Sequence, residues 1–122
     1  MNIAIIAHDN KKADMVAFVM KRLDFFNSKD INIYATGTTG KHIQHSGLEV
    51  TCLQSGPMGG DAQIASLLVD KKIDLVLFFI DPLFSHPHEV DIHMLMRLCN
   101  VYDIPLATNY STASRLIRSY TY

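Results

Sequence analysis

The sequence predicts an α/β fold: one three-layer domain over residues 1–122, with a five-stranded, mostly parallel sheet flanked by helices. Two patterns predict it. Short apolar runs rich in Ile, Val and Phe alternate with longer segments of helical period, as expected of strands feeding helices in a parallel sheet. Polar, glycine-containing clusters follow the C-terminal ends of those runs, where loops on a rigid sheet hold ligands in open α/β folds.

Residues 3–7 read as a first strand. Residues 14–26 follow as a helix, with Met15, Phe18, Val19, Leu23 and Phe26 on one face. Residues 31–35 form the second strand, 39–46 a short helix closed by Gly47, and 50–53 a weaker third strand. Residues 61–70 place Ile64, Leu67 and Leu68 at helical spacing. Residues 73–80 are the most hydrophobic strand, expected at the sheet centre and covered on both faces. Residues 90–101 are amphipathic through Ile92, Leu95, Met96 and Leu98; 104–107 make a fifth strand and 111–118 a last helix. No internal repeat, linker or low-complexity tract interrupts this order.

Lys and Arg total 11 against 12 Asp and Glu, so no bulk field draws the chain to nucleic acid or an anionic membrane. Any anion must be held locally. The longest purely apolar stretch, residues 75–80, stops at Asp81, far short of the roughly 20 residues that span a bilayer. The first apolar run is cut by His8 and Asp9 before a signal-peptide core could form, so a cytoplasmic protein is expected. Cys52 and Cys99, without CxxC spacing, read as buried free thiols.

Ala35-Thr36-Gly37-Thr38-Thr39-Gly40 joins a strand to a helix; its glycines let backbone approach a ligand, while hydroxyls and helix N-terminal amides can hold an anion. The same residues would also serve as an ordinary N-cap turn. No GxxxxGK[ST] or GxGxxG occurs, which argues against nucleotide cofactors. Ser55-Gly56-Pro57-Met58-Gly59-Gly60-Asp61 adds a hydroxyl, three glycines and a carboxylate that opens a helix. Asp61 is either an N-cap or a base placed beside a bound substrate. Asp81, His88 and Asp91 contribute two more carboxylates and an imidazole, each of which also has a bland explanation as a turn, loop or helix-start residue. His8, Asp9 and Lys12 read equally as a polar turn and a solvated helix face. His86, His88 and His93 follow no metalloenzyme spacing, so no metal is expected.

Taken together, His8-Asp9 with Lys12, ATGTTG at 35–40, SGPMGGD at 55–61, FFIDPL at 78–83, Pro87-His88 with Asp91, and IPLATN at 104–109 closely resemble the methylglyoxal synthase family. ATGTTG alone recurs across the wider superfamily; SGPMGGD joined to the DPL and PH segments is far more specific. The resemblance implies a methylglyoxal synthase-like domain with helices on both faces of its sheet, assembled as a homohexamer. It implies conversion of dihydroxyacetone phosphate to methylglyoxal and phosphate without metal or organic cofactor. By the same resemblance Asp61 matches the catalytic base. Lys12, Thr36, Gly37, Thr38, Thr39, Ser55 and Gly56 fall in the phosphate and substrate contacts, His8 and His88 match residues around the substrate oxygens, and Asp9, Asp81 and Asp91 match further active-site carboxylates. Family members often continue past the last helix with an arginine-bearing tail, where this chain stops at Tyr122; phosphate regulation is not carried over. The competing expectation is a phosphate or nucleotide sensor without chemistry, but extra carboxylates beside a dianion weaken binding and suit proton transfer better.

Overall fold

The fold is seen in a computed structural model that describes residues 1–83 and 92–121. The chain runs β1 (Asn2–Ala7), α1 (Lys12–Met20), α2 (Leu23–Phe26), β2 (Asn32–Thr36), α3 (Gly37–Gln44), β3 (Val50–Leu53), α4 (Gly60–Val69), β4 (Leu75–Phe79), α5 (Ile92–Val101), β5 (Leu106–Ala107) and α6 (Tyr110–Ser119). Short 3₁₀ turns follow β1 at Asp9–Lys11 and β3 at Gly56–Met58. The strands lie in the order β3-β2-β1-β4-β5, and all four pairings are parallel rather than mostly so.

Alternation along the central strands builds two cores. Ile3, Ile5 and Ala7 of β1, with Leu75, Leu77 and Phe79 of β4, pack against Met15, Phe18 and Val19 of α1, Ile43 of α3 and Ala113 and Ile117 of α6. Ala4 and Ile6, with Val76 and Phe78, face Ile64 and Leu68 of α4 and Leu95 and Cys99 of α5. Both sheet faces are therefore covered, which is why β4 reads as an unbroken apolar run instead of an alternating one.

The strand order reverses at β1: successive strands run outward to β3 on one side, then β4 and β5 on the other. The crevice outside the carboxyl ends of β1 and β4 is the switch point where such sheets bind ligands.

Two expectations are corrected. The helix over residues 14–26 is two helices, parting at Arg22, whose N–H bonds the Val19 carbonyl instead of the one four residues back and whose guanidinium donates to the Phe18 carbonyl. Cys52 is exposed, since β3 proves to be an edge strand; only Cys99 is buried. Burial pushes the Cys99 thiol up to about 11.

Candidate active site

The loops after β1, β2, β3 and β4 meet at one end of the sheet. The His8 N–H extends the ladder by donating to the Phe79 carbonyl at 3.1 Å. Its ring is buried, only 6% exposed, and stands edge-on to Phe78 with centroids 5.2 Å apart. The Asp81 N–H donates to His8 Nδ1 at 3.0 Å. A backbone amide is always a donor, so Nδ1 must accept and the neutral ring carries its proton on Nε2.

Asp81 is held at both oxygens: Asn10 Nδ2 donates to Oδ2 at 2.9 Å and the Leu83 N–H to Oδ1 at 3.0 Å. The Asn10 bond, then the Leu83 bond, with smaller contributions from Lys11 and His8, hold its carboxyl below the ordinary 3.8. Asp81 is therefore a carboxylate throughout the neutral range.

Lys12 joins the first loop to the second. Its Nζ lies 2.9 Å from Asp9 Oδ1 and donates to Thr38 Oγ1 at 2.9 Å. Thr36 occupies the N-cap of α3 with extended backbone, yet its side chain makes no capping bond to the helix amides. The simple N-cap explanation of this motif is thereby weakened. Gly37 adopts φ +56°, a conformation L side chains rarely take. Thr39 is fully buried, and its hydroxyl has no hydrogen-bond partner among the described residues.

The third loop abuts the second, with the Gly37 Cβ direction meeting Ser55 Cα and Cβ at 3.5 Å. The Ser55 carbonyl accepts from the N–H groups of Met58 at 3.0 Å and Gly60 at 2.8 Å, which folds Ser55–Gly60 into a compact turn. The Gln54 N–H donates to the Gln63 side chain at 2.8 Å, fixing that turn to α4. Asp61 follows in the first turn of α4, half-buried, its Oδ1 accepting from the Ala62 N–H at 2.8 Å. It is not the N-cap residue, a position Gly59 holds with φ +102°, although its carboxylate takes one of the free first-turn amides of α4.

His8, Asp9, Lys12, Thr36, Gly37, Thr38, Thr39, Ser55, Gly56, Asp61 and Asp81 thus lie on the strand ends, connections and first helical turns at the carboxyl end of the sheet. His88 and Asp91, named with them from the sequence, lie outside the described residues, as does His86. Among the described residues no three His, Cys, Asp or Glu side chains are grouped to hold a metal ion. Asn10 was not singled out by the sequence: no period or motif marks it, and its partner is defined only once β1 and β4 are known to be neighbours.

A family model described as MGS-like domain matches residues 11–108. Methylglyoxal synthase of Bacillus subtilis is 52% identical over 120 residues, 98% of this chain and 86% of that protein. The enzyme of the same name from Geobacillus thermodenitrificans is 54% identical over 119 residues, covering 97% and 81%. The crystal structure of methylglyoxal synthase from Elizabethkingia anophelis superposes with a TM-score of 0.89 at 42% identity, covering 95% of this chain and 76% of that one.

Proposed function

The chain belongs to the MGS-like domain family, and from that membership we propose that it is a carbon–oxygen lyase converting dihydroxyacetone phosphate to methylglyoxal and inorganic phosphate. One observation carries the step from anion binding to chemistry: a half-buried carboxylate, Asp61, sits in the first turn of α4, directly after the Ser55–Gly56 turn that packs on the threonine loop.

Phosphate is held, on this reading, by the N-terminal amides of α3, the hydroxyls of Thr36, Thr38, Thr39 and Ser55, the Gly37 and Gly56 backbone and the Lys12 ammonium. The buried Thr39 hydroxyl supports it, since an unpaired buried hydroxyl costs about 1–3 kcal/mol that a phosphate oxygen would offset. Asp9 pairs with Lys12 and fixes its approach to Thr38.

Asp61 removes a proton from the hydroxymethyl carbon beside the ketone, leaving an enediolate. The neutral Nε2–H of His8 is a suitable donor to a substrate oxygen, together with the Gly56 amide and His88. The electrons of the enediolate then expel phosphate from the neighbouring carbon, and the resulting enol takes up a proton there to become the methyl group of methylglyoxal. Expulsion is favoured when the carbon–oxygen bond stands perpendicular to the enediolate plane. Donors from two loops plus Lys12 would hold the phosphate out of plane, and alignment of this kind supplies several kcal/mol of barrier reduction. Asp81 and Asp91 would serve as the remaining carboxylates of the site, and no metal or organic cofactor enters the scheme.

Family resemblance supports a homohexamer in the cytoplasm as part of the same reading. No helix among the described residues is long and apolar enough to cross a membrane.

Asp61→Asn tests the base. Turnover should fall by roughly 10²–10⁴-fold while inorganic phosphate still binds, the usual range for losing a general base. Near-normal turnover with phosphate binding retained would remove Asp61 from that role.

A further inference from the structure

Asn10 lies in an exposed turn, where an asparagine ordinarily bonds its own backbone. Here its amide reaches 71 residues along the chain to Asp81 Oδ2 at 2.9 Å. The other Asp81 oxygen is taken by the Leu83 N–H at 3.0 Å, and the Asp81 N–H is committed to His8 Nδ1 at 3.0 Å. The His8 N–H in turn is tied to the Phe79 carbonyl at 3.1 Å. These bonds close a ring across the switch point between the loops after β1 and β4. Within it, two side chains of the first loop reach Asp81: the His8 ring at its amide and Asn10 at its carboxylate.

We propose that Asn10 is a positioning residue for the reaction: by holding Asp81 it keeps the Asp81 amide on His8 Nδ1, and so keeps His8 in the tautomer whose Nε2–H can donate to the substrate. This rests on the lyase reading above. A neutral imidazole has no fixed tautomer of its own; the bond at one nitrogen decides which proton the other carries. If Asp81 swings away, Nδ1 loses its donor, and the fraction of rings presenting a proton at Nε2 falls. The Asn10 bond is also the largest cause holding the Asp81 carboxyl below its ordinary 3.8, consistent with a carboxylate held in one orientation.

The test compares Asn10→Asp, nearly isosteric but with no donor and a charge that repels Asp81, with Asn10→Gln, which keeps the amide. Long-range ¹H–¹⁵N spectra of the ¹⁵N-labelled protein, assigned with His8→Ala, report the His8 tautomer without substrate. Wild type should show the Nε2–H form alone. Asn10→Asp should show a mixture and lose roughly tenfold or more in kcat, with KM changed by less than about threefold and melting temperature nearly unchanged. Asn10→Gln should recover most of both signals, and Asn10→Ala replaces the aspartate variant if that one does not fold. Wild-type kcat in Asn10→Asp, or a kcat loss with His8 still wholly in the Nε2–H form, overturns the proposal. Should wild type fail to turn over dihydroxyacetone phosphate, the lyase reading falls, while the spectra still decide whether Asn10 sets the tautomer.

Discussion

Replacing Gly60 with alanine adds one carbon where the chain has no room for it. A Cβ there would lie 2.0 Å from the Gln54 carbonyl oxygen, 2.9 Å from the Gln54 carbonyl carbon and 3.0 Å from that of Ser55. Ordinary contact starts at 3.4 Å, so the Gln54–Ser55 backbone must retreat by more than about 1 Å. That backbone is not free to move: the Ser55 carbonyl holds the N–H groups of Met58 and Gly60, and the Gln54 N–H is fixed to Gln63. Overpacking of this kind costs about 1–3 kcal/mol, which for a chain of this size lowers the melting temperature by roughly 3–15 °C. The retreat also shifts Ser55 and Gly56 relative to the threonine loop, and a misplacement near 1 Å at a reacting centre costs on the order of 10²-fold in turnover. Thermal melts and steady-state kinetics on dihydroxyacetone phosphate measure both. Gly59→Ala is the comparison: nothing lies within 4 Å of its Cβ position, and only its φ of +102° is strained. It should lose a comparable amount of stability, about 1–2 kcal/mol, but far less turnover. A Gly60→Ala protein with wild-type melting temperature and kcat/KM would refute the close approach on which the site geometry depends.

Arg22 links α1 to α6 through hydrogen bonds to Phe18, Tyr110 and Ser114, with its guanidinium 3.9 Å from the Phe18 ring centroid. Arg22→Met should lower the unfolding free energy in urea by about 1–3 kcal/mol, and Arg22→Lys should recover little of it, lacking the planar fork. In the native protein near pH 8 a thiol reagent should modify one cysteine per chain quickly, the exposed Cys52. Cys99, buried and with its thiol pushed up to about 11, should react only on unfolding; two fast equivalents would contradict this. The Asp81 carboxyl is held below its ordinary 3.8, so the stability linked to its ionisation is fully present above that value and is lost as pH falls through the lower folded value. The urea midpoint gap between wild type and Asp81→Asn should accordingly be constant from pH 5 to 8 and narrow only below about pH 3.8. A gap that changes near neutrality would point to another group.

Much of the fold was legible because burial on both faces leaves a plain signature: the apolar run ending at Asp81 is an interior parallel strand, although the sheet centre expected for it is taken by β1. The positions of the polar loops were legible for the same reason, since strand ends fix where loops begin. Facts that depend on which strands are neighbours were not legible. Cys52 looks apolar in its local sequence, and its exposure follows only from β3 lying at the sheet edge. Asn10 acquires its meaning from the adjacency of β1 and β4. The break at Arg22 is a local change of backbone bonding, the Arg22 N–H turning to Val19, which hydrophobic periodicity does not register because apolar residues continue on the same face through Phe26. Gly60 resembles Gly59 in sequence, yet one is required by contact and the other by backbone conformation.

The reaction itself gives the most direct test of the account. Purified protein incubated with dihydroxyacetone phosphate, with methylglyoxal and inorganic phosphate followed together, should release the two in a one-to-one ratio without added metal or organic cofactor. Phosphate binding with no methylglyoxal formed would contradict the lyase and leave an anion sensor built on the same loops.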